Sequence, residues 1–235
     1  MVDRTKDTLR GIKAVIFDLD DTLVLSTVDY AKFKRLVIER IGALGDDPSE
    51  YSPNETIVAI VSRYEKRMRQ SGVSEAEVRS RKAELDRIMD QVELEKVGDT
   101  RAIKGAVQLL EDLRSRGVKI GVLTRGCERY ATAALLTSGL LELVDEVECR
   151  NSTTPAKPDP ASYLRLVQRL NVRKEDTIFV GDHPIDAQCA KNAGVPFVAV
   201  ETGDVPEDEL RKAGCVRVFR DVGEMTKWFL GLLAD

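Results

Sequence analysis

Four short clusters of chemically useful side chains stand at wide intervals along the chain: Asp18-Leu-Asp20-Asp-Thr22, Thr124-Arg125, Lys157-Pro158 and Gly181-Asp182-His-Pro-Ile-Asp186. Together they hold several carboxylates, one ammonium and two hydroxyls. That is the inventory for a hard cation and a phosphate, because Mg²⁺ takes oxygen ligands and a lysine neutralises phosphoryl oxygens. Carboxylates crowded together repel one another unless a cation lies among them. The four cysteines, Cys127, Cys149, Cys189 and Cys215, are far apart with no CxxC pair, and His183 is the only histidine. Neither a zinc site nor a disulfide framework is expected.

The elements that must position these clusters can be read from hydrophobic pattern. Residues 13–17 form a short apolar run that ends abruptly in acids, the signature of a buried parallel strand. Residues 118–124 and 177–181 are of the same kind, and 195–200 and 215–219 supply further strands. Ala106, Leu109, Leu110 and Leu113 recur at helical spacing, and Gly117 closes that helix ahead of the next strand. Tyr163, Leu166, Val167 and Leu170 repeat the spacing, another helix runs through Asn192 to Gly194, and a last one carries Val222, Met225, Trp228, Phe229 and Leu232. Strands separated by amphipathic helices predict a parallel sheet covered on both faces, whose ligands collect beyond the carboxyl ends of the strands. All four clusters fall at or near such ends.

The stretch between the first strand and residue 105 differs. Phe33, Leu36 and Val37 mark one helix, Ile57, Ile60, Val61, Tyr64 and Met68 a second, and Leu85, Ile88, Met89 and Val92 a third. The reading is an α/β core, residues 1–25 and 99–235, interrupted by an all-helical module over 26–98.

Charge narrows the function classes. The 235 residues are 43% hydrophobic and 32% charged, with 36 basic against 40 acidic side chains, a net charge of −4. Nothing in that balance supports nucleic-acid binding. No apolar run approaches the roughly 20 residues that span a bilayer, and residues 1–12 are polar without a secretory segment. The expected setting is the cytoplasm, as monomer or homodimer, with a small-molecule partner.

The clusters, in this order, resemble the four motifs of the haloacid dehalogenase-like hydrolase superfamily. The match covers the α/β core, and the helical insertion after the first motif looks like the cap of phosphoglycolate-phosphatase-like members. The apolar strand running into DxDxT is the most specific piece and GDxxxD the next. A strand-end threonine or a Lys-Pro pair means little alone. The resemblance implies a Rossmann-like, doubly wound sheet with a small all-helical cap, and a Mg²⁺-dependent phosphatase for a small phosphorylated metabolite. Asp18 would be the nucleophile, forming an aspartyl-phosphate, and Asp20 the general acid and base. The metal would be held by Asp18, the Asp20 carbonyl and Asp182, with Asp186 as a ligand or as support for Lys157. Thr124 and Lys157 would bind the substrate phosphate and Thr22 would orient the acidic loop, with Arg125 a further phosphate-binding candidate from its place beside Thr124.

Plainer readings stand beside these. Asp21 reads as a capping residue, His183 as a loop residue near the site mouth, since Mg²⁺ favours oxygen, and Cys127 as inert. Arg125 departs from the family's usual residue after the threonine, and either touches a substrate anion or faces solvent. A phosphomutase shares all four motifs. A 2-haloacid dehalogenase lacks the second acid and the metal, so Asp20 and Asp182 argue against it. A phosphoacceptor signalling domain lacks DxDxT and a helical cap.

Overall fold

The computed structural model describes residues 11–152 and 155–233. The polar stretch expected at the N-terminus lies outside them up to residue 10. The apolar run after Lys13 becomes β1 (Ala14–Phe17), buried at every position. Its neighbours are β4 (Lys119–Leu123) on one side and β6 (Thr177–Gly181) on the other, both parallel to it, with Ile16 opposite Gly121 and Phe179. Beyond them lie β5 (Glu146–Glu148), β7 (Phe197–Val200) and β8 (Arg217–Phe219), giving the order β5-β4-β1-β6-β7-β8 among the described residues. Every pairing in this sheet is parallel. Burial on both faces accounts for the continuous Val/Ile/Phe runs.

One face is covered by α6 (Pro160–Arg169), α7 (Pro184–Ala193) and α8 (Glu207–Lys212). Tyr163, Leu166, Ala187, Ala190 and Leu210 pack there with Ala14, Ile16 and Phe179. The helices α4 (Ala106–Ser115), α5 (Glu128–Thr137) and α9 (Val222–Leu232) complete this unit, with Leu109, Leu110, Leu113, Tyr130, Met225 and Phe229 buried. The expected doubly wound α/β class holds.

The chain divides into two compact units. One holds the described residues through Ser26 and those from Gly98 onward; the other is Thr27–Val97. The second unit contains α1 (Tyr30–Ala43), α2 (Ile57–Gln70) and α3 (Glu75–Leu94), capped by Asp29, Thr56 and Ser74. Their apolar stripes meet in a core of Phe33, Val37, Ile41, Ile60, Tyr64, Met68, Leu85, Met89 and Val92. Where the first unit gives way to the second, β2 (Val24–Leu25) pairs antiparallel with β3 (Arg101–Ala102), so the two exits from the core form one small ribbon.

Five elements go beyond the sequence reading: the two strands of this ribbon, α5, α8 and the edge strand β5. Glu146-Val-Glu148 is acidic at two of three positions, which hides a strand. Both glutamates face Arg169 of α6, whose guanidinium donates to Glu146 and, at 3.4 Å, to Glu148. Among the described residues no helix is long and apolar enough to cross a membrane.

Candidate active site

The carboxyl end of β1 delivers Asp18, whose backbone N–H continues the sheet by donating to the Val180 carbonyl at 2.8 Å. The chain then turns sharply. Asp21 adopts the left-handed region at φ 53°, and the N–H groups of Leu23 and Val24 both donate to the Leu19 carbonyl. The Asp21 carboxylate accepts from the Ser26 N–H at 3.0 Å, a turn-holding role, and its carbonyl accepts from the Thr202 hydroxyl.

Lys157 reaches the same point from the loop before α6. Its buried ammonium donates to Asp18 Oδ1 at 2.5 Å and to Asp186 Oδ1 at 2.8 Å, and it lies 5.6 Å from the centre of the Phe179 ring. Asp186 stands in the first turn of α7, 1% exposed, and its Oδ2 accepts from the His183 N–H at 3.3 Å. His183 is the N-cap of that helix, with Nδ1 accepting from the Ile185 N–H at 3.1 Å. Burial holds its imidazole below the ordinary histidine range. It belongs to the helix start and not to the acidic cluster.

Asp182 follows β6, and its Oδ1 accepts from the Thr22 hydroxyl at 3.0 Å. The opposite oxygen is confined by Gly203: a Cβ at that position would sit 2.1 Å from Asp182 Oδ2. Asp18, Asp182 and Asp186 each present a carboxylate oxygen, all within 4.8 Å of one another. Burial pushes the Asp182 carboxyl up to about 9, aided by the charges of Asp18 and Asp186. Burial also raises Asp18, to about 6, although Lys157 pulls it down. Lys157 is itself held above its ordinary value: burial works against its charge, but Asp18 and Asp186 outweigh it. Two of these three carboxylates, Asp18 and Asp186, share the one ammonium while Asp182 does not bond it, and the all-oxygen donor set suits a hard divalent cation.

The Asp20 side chain lies apart from that trio and accepts from the Tyr130 hydroxyl. Burial and the Asp18 charge raise its carboxyl to about 7, a value at which it can both hold and release a proton near neutrality. Thr124 is buried at the end of β4, and its hydroxyl oxygen accepts from the Gly126 N–H at 2.9 Å. Arg125 donates to the Lys157 carbonyl at 2.5 Å, fastening the lysine loop to the end of β4. Cys127 is the N-cap of α5, and burial raises the thiols of Cys149 and Cys189 to about 12; none of the four cysteines is in a disulfide. Sequence reasoning missed Tyr130, Thr202 and Gly203. Gly203 leaves only a weak trace in the sequence, a glycine just after a strand end.

The family model described as haloacid dehalogenase-like hydrolase matches residues 15–200. The chain belongs to the haloacid dehalogenase-like hydrolase family. It is accordingly an enzyme, a phosphatase-type member of that family resembling phosphoglycolate phosphatases. A phosphoglycolate phosphatase from Rhodospirillum rubrum is 30% identical over 218 residues, covering 92% of this chain and 90% of that protein. A validoxylamine A 7'-phosphate phosphatase from Streptomyces hygroscopicus is 36% identical over 100 residues, 43% of this chain and 47% of that protein. Among solved structures, a family hydrolase from Deinococcus radiodurans, crystallised with phosphate and sodium, superposes with a TM-score of 0.63 at 18% identity, covering 95% of this chain and 97% of that one. That likeness concerns the fold.

Proposed function

We propose that the protein is a Mg²⁺-dependent phosphatase that hydrolyses a small phosphate monoester through an aspartyl-phosphate on Asp18. The observation that carries the reading is the convergence of Asp18, Asp182 and Asp186, with carboxylate oxygens within 4.8 Å of one another, beside a buried Lys157 ammonium that bonds Asp18 and Asp186. Asp18, Asp182 and the Asp20 carbonyl would hold the cation, with Asp186 steadying Lys157. When bound, the cation offsets the repulsion between the Asp18 carboxylate and a phosphate dianion.

The chain's own residues do the rest. Asp18 attacks phosphorus as the ester bond breaks, and Asp20 protonates the departing oxygen. Asp20 then takes a proton from the water that hydrolyses the aspartyl-phosphate. Thr124 and Lys157 hold phosphoryl oxygens, and Arg125 fixes the lysine loop from behind. The helical unit, joined to the core through the β2–β3 ribbon a few residues beyond Asp18, is read as the part of the chain that carries ester selectivity. The substrate belongs to the small phosphorylated metabolites, a class to which the substrates named for its relatives also belong, and the compartment is the cytoplasm.

The test is an acid quench during turnover of a ³²P-labelled ester with Mg²⁺. A label recovered on the peptide containing Asp18, sensitive to hydroxylamine and lost in chelator, is expected. Turnover in chelator, or a burst with no label on that peptide, overturns the reading.

A further inference from the structure

Tyr130 belongs to none of the four clusters, yet its hydroxyl donates to Asp20 Oδ1. The residue is held with care. Its ring is fully buried. Gly126, four residues earlier, makes room for it, since a Cβ there would stand 2.7 Å from the ring. The Tyr130 N–H donates to the Cys127 Sγ at 3.5 Å, which closes the first turn of α5. A buried phenol must have a hydrogen-bond partner, and many would serve. This one is given an oxygen of the carboxyl group assigned to move the reaction's proton.

We propose that Tyr130 is a positioning residue for leaving-group protonation, orienting Asp20 so that its proton is carried on Oδ2. The inference rests on the reading of Asp20 as proton donor. A carboxyl oxygen that accepts from a phenol O–H is the less favourable place for the acid proton, which favours the other oxygen; the Ser26 side chain adds a second hydrogen bond to the same carboxyl group. The bond also restrains rotation of the carboxyl group about Cβ–Cγ.

In the first step an Asp18 oxygen forms its bond to phosphorus while the bond from phosphorus to the ester oxygen breaks. That electron pair stays on the ester oxygen, which takes the proton from Asp20 Oδ2. Asp20 is left as a carboxylate whose Oδ1 keeps the Tyr130 hydrogen bond. In the second step a water oxygen forms its bond to phosphorus as the Asp18 oxygen–phosphorus bond breaks, the electron pair returns to the Asp18 carboxylate, and the water's proton goes to Asp20. The phenol keeps its own proton throughout.

A tyrosine that only filled the core would affect all substrates alike. The test is kcat/KM for p-nitrophenyl phosphate and phenyl phosphate, measured for the wild type, Tyr130→Phe, Asp20→Asn and the double variant. Phenylalanine keeps the buried ring and removes only the hydroxyl. General acids contribute about 10²–10⁴-fold, so loss of orientation is expected to lower kcat/KM about tenfold on phenyl phosphate and about twofold on p-nitrophenyl phosphate, whose leaving group departs without a proton. The double variant should be no worse than Asp20→Asn. Equal losses on both esters in Tyr130→Phe, alongside a leaving-group gradient in Asp20→Asn, overturn the inference and leave the proposed function standing. No gradient in Asp20→Asn removes the proton-donor reading, and the inference falls with it.

Discussion

The two units of this chain treat charge in opposite ways. In the helical unit, Thr27–Val97, most ionic side chains lie outside an apolar core, buried Glu93 being an exception, and form pairs near the surface: Arg67 with Asp46 at 2.8 Å, Lys82 with Asp86 at 2.8 Å, Arg69 with Glu65 at 3.3 Å. In the sheet unit, Asp18, Asp182, Asp186 and Lys157 are drawn from three distant segments and buried at one strand edge. Exposed pairs contribute little to stability and need no precise geometry. Buried ions lose hydration, so they persist only where packing and hydrogen bonds fix them. The comparison teaches where to look for chemistry: at charges that the fold has gathered against their own repulsion.

The sharpest test removes the attacking group. Asp18→Asn should lower turnover at least about 10⁴-fold while the protein stays folded by circular dichroism and thermal melting. Substantial residual activity in a clean preparation would sink Asp18 as nucleophile. Next, Lys157→Met should destabilise the sheet unit by about 3 kcal/mol at pH 8, since it leaves buried carboxylates without their ammonium. The loss should shrink at pH 5, where Asp18, raised to about 6, accepts a proton. Denaturant melts at the two pH values would show it, and an equal loss at both would mean that Lys157 matters for packing alone.

A smaller effect follows from the raised carboxyls of Asp18, Asp20 and Asp182, at about 6, 7 and 9. Each binds its proton more tightly folded than unfolded. The stability this confers is therefore complete below about pH 4, and is lost as pH climbs through the folded values. In chelator, Tm should fall between pH 5 and pH 9, and Mg²⁺ or Asp182→Asn should flatten the fall. A Tm that rises over that range would contradict the cluster's electrostatics. The smallest effect belongs to the other unit. Arg67→Ala, removing a half-buried partner of Asp46, should leave kcat unchanged and lower Tm only slightly; a large drop in either would blur the contrast between the units.

Much of this site was legible because its charged residues sit at strand ends and break apolar runs. Asp18 and Asp20 interrupt the pattern immediately after β1, and Asp182 does the same after β6. The helical insertion was legible because period 3.6 replaces buried strand runs for some seventy residues. Other parts were hidden for physical reasons. Tyr130 sits in a helix at a core position, so its ring accounts for it and nothing local announces that the hydroxyl meets Asp20, 110 positions away. Thr202 and Asp21 are 181 positions apart, and a threonine in a polar loop carries no mark of such a bond. His183 was placed near the site mouth, and its use as a helix cap became visible only with the backbone. The edge strand β5 escaped because two acids in three residues look like a loop until Arg169 is seen beside them.

The β2–β3 ribbon has a consequence for how this protein can change. Because Val24 and Leu25 pair with Ala102 and Arg101, the core itself brings together the two points between which the helical segment is strung. The entropy of closing so long a segment is then met by a few backbone hydrogen bonds of the host, and it grows only slowly with the length closed. Helices can be lengthened, shortened or replaced between those two points while the sheet keeps its register. The ribbon is a graft junction, across which the inserted helices can be exchanged while the sheet stays unaltered.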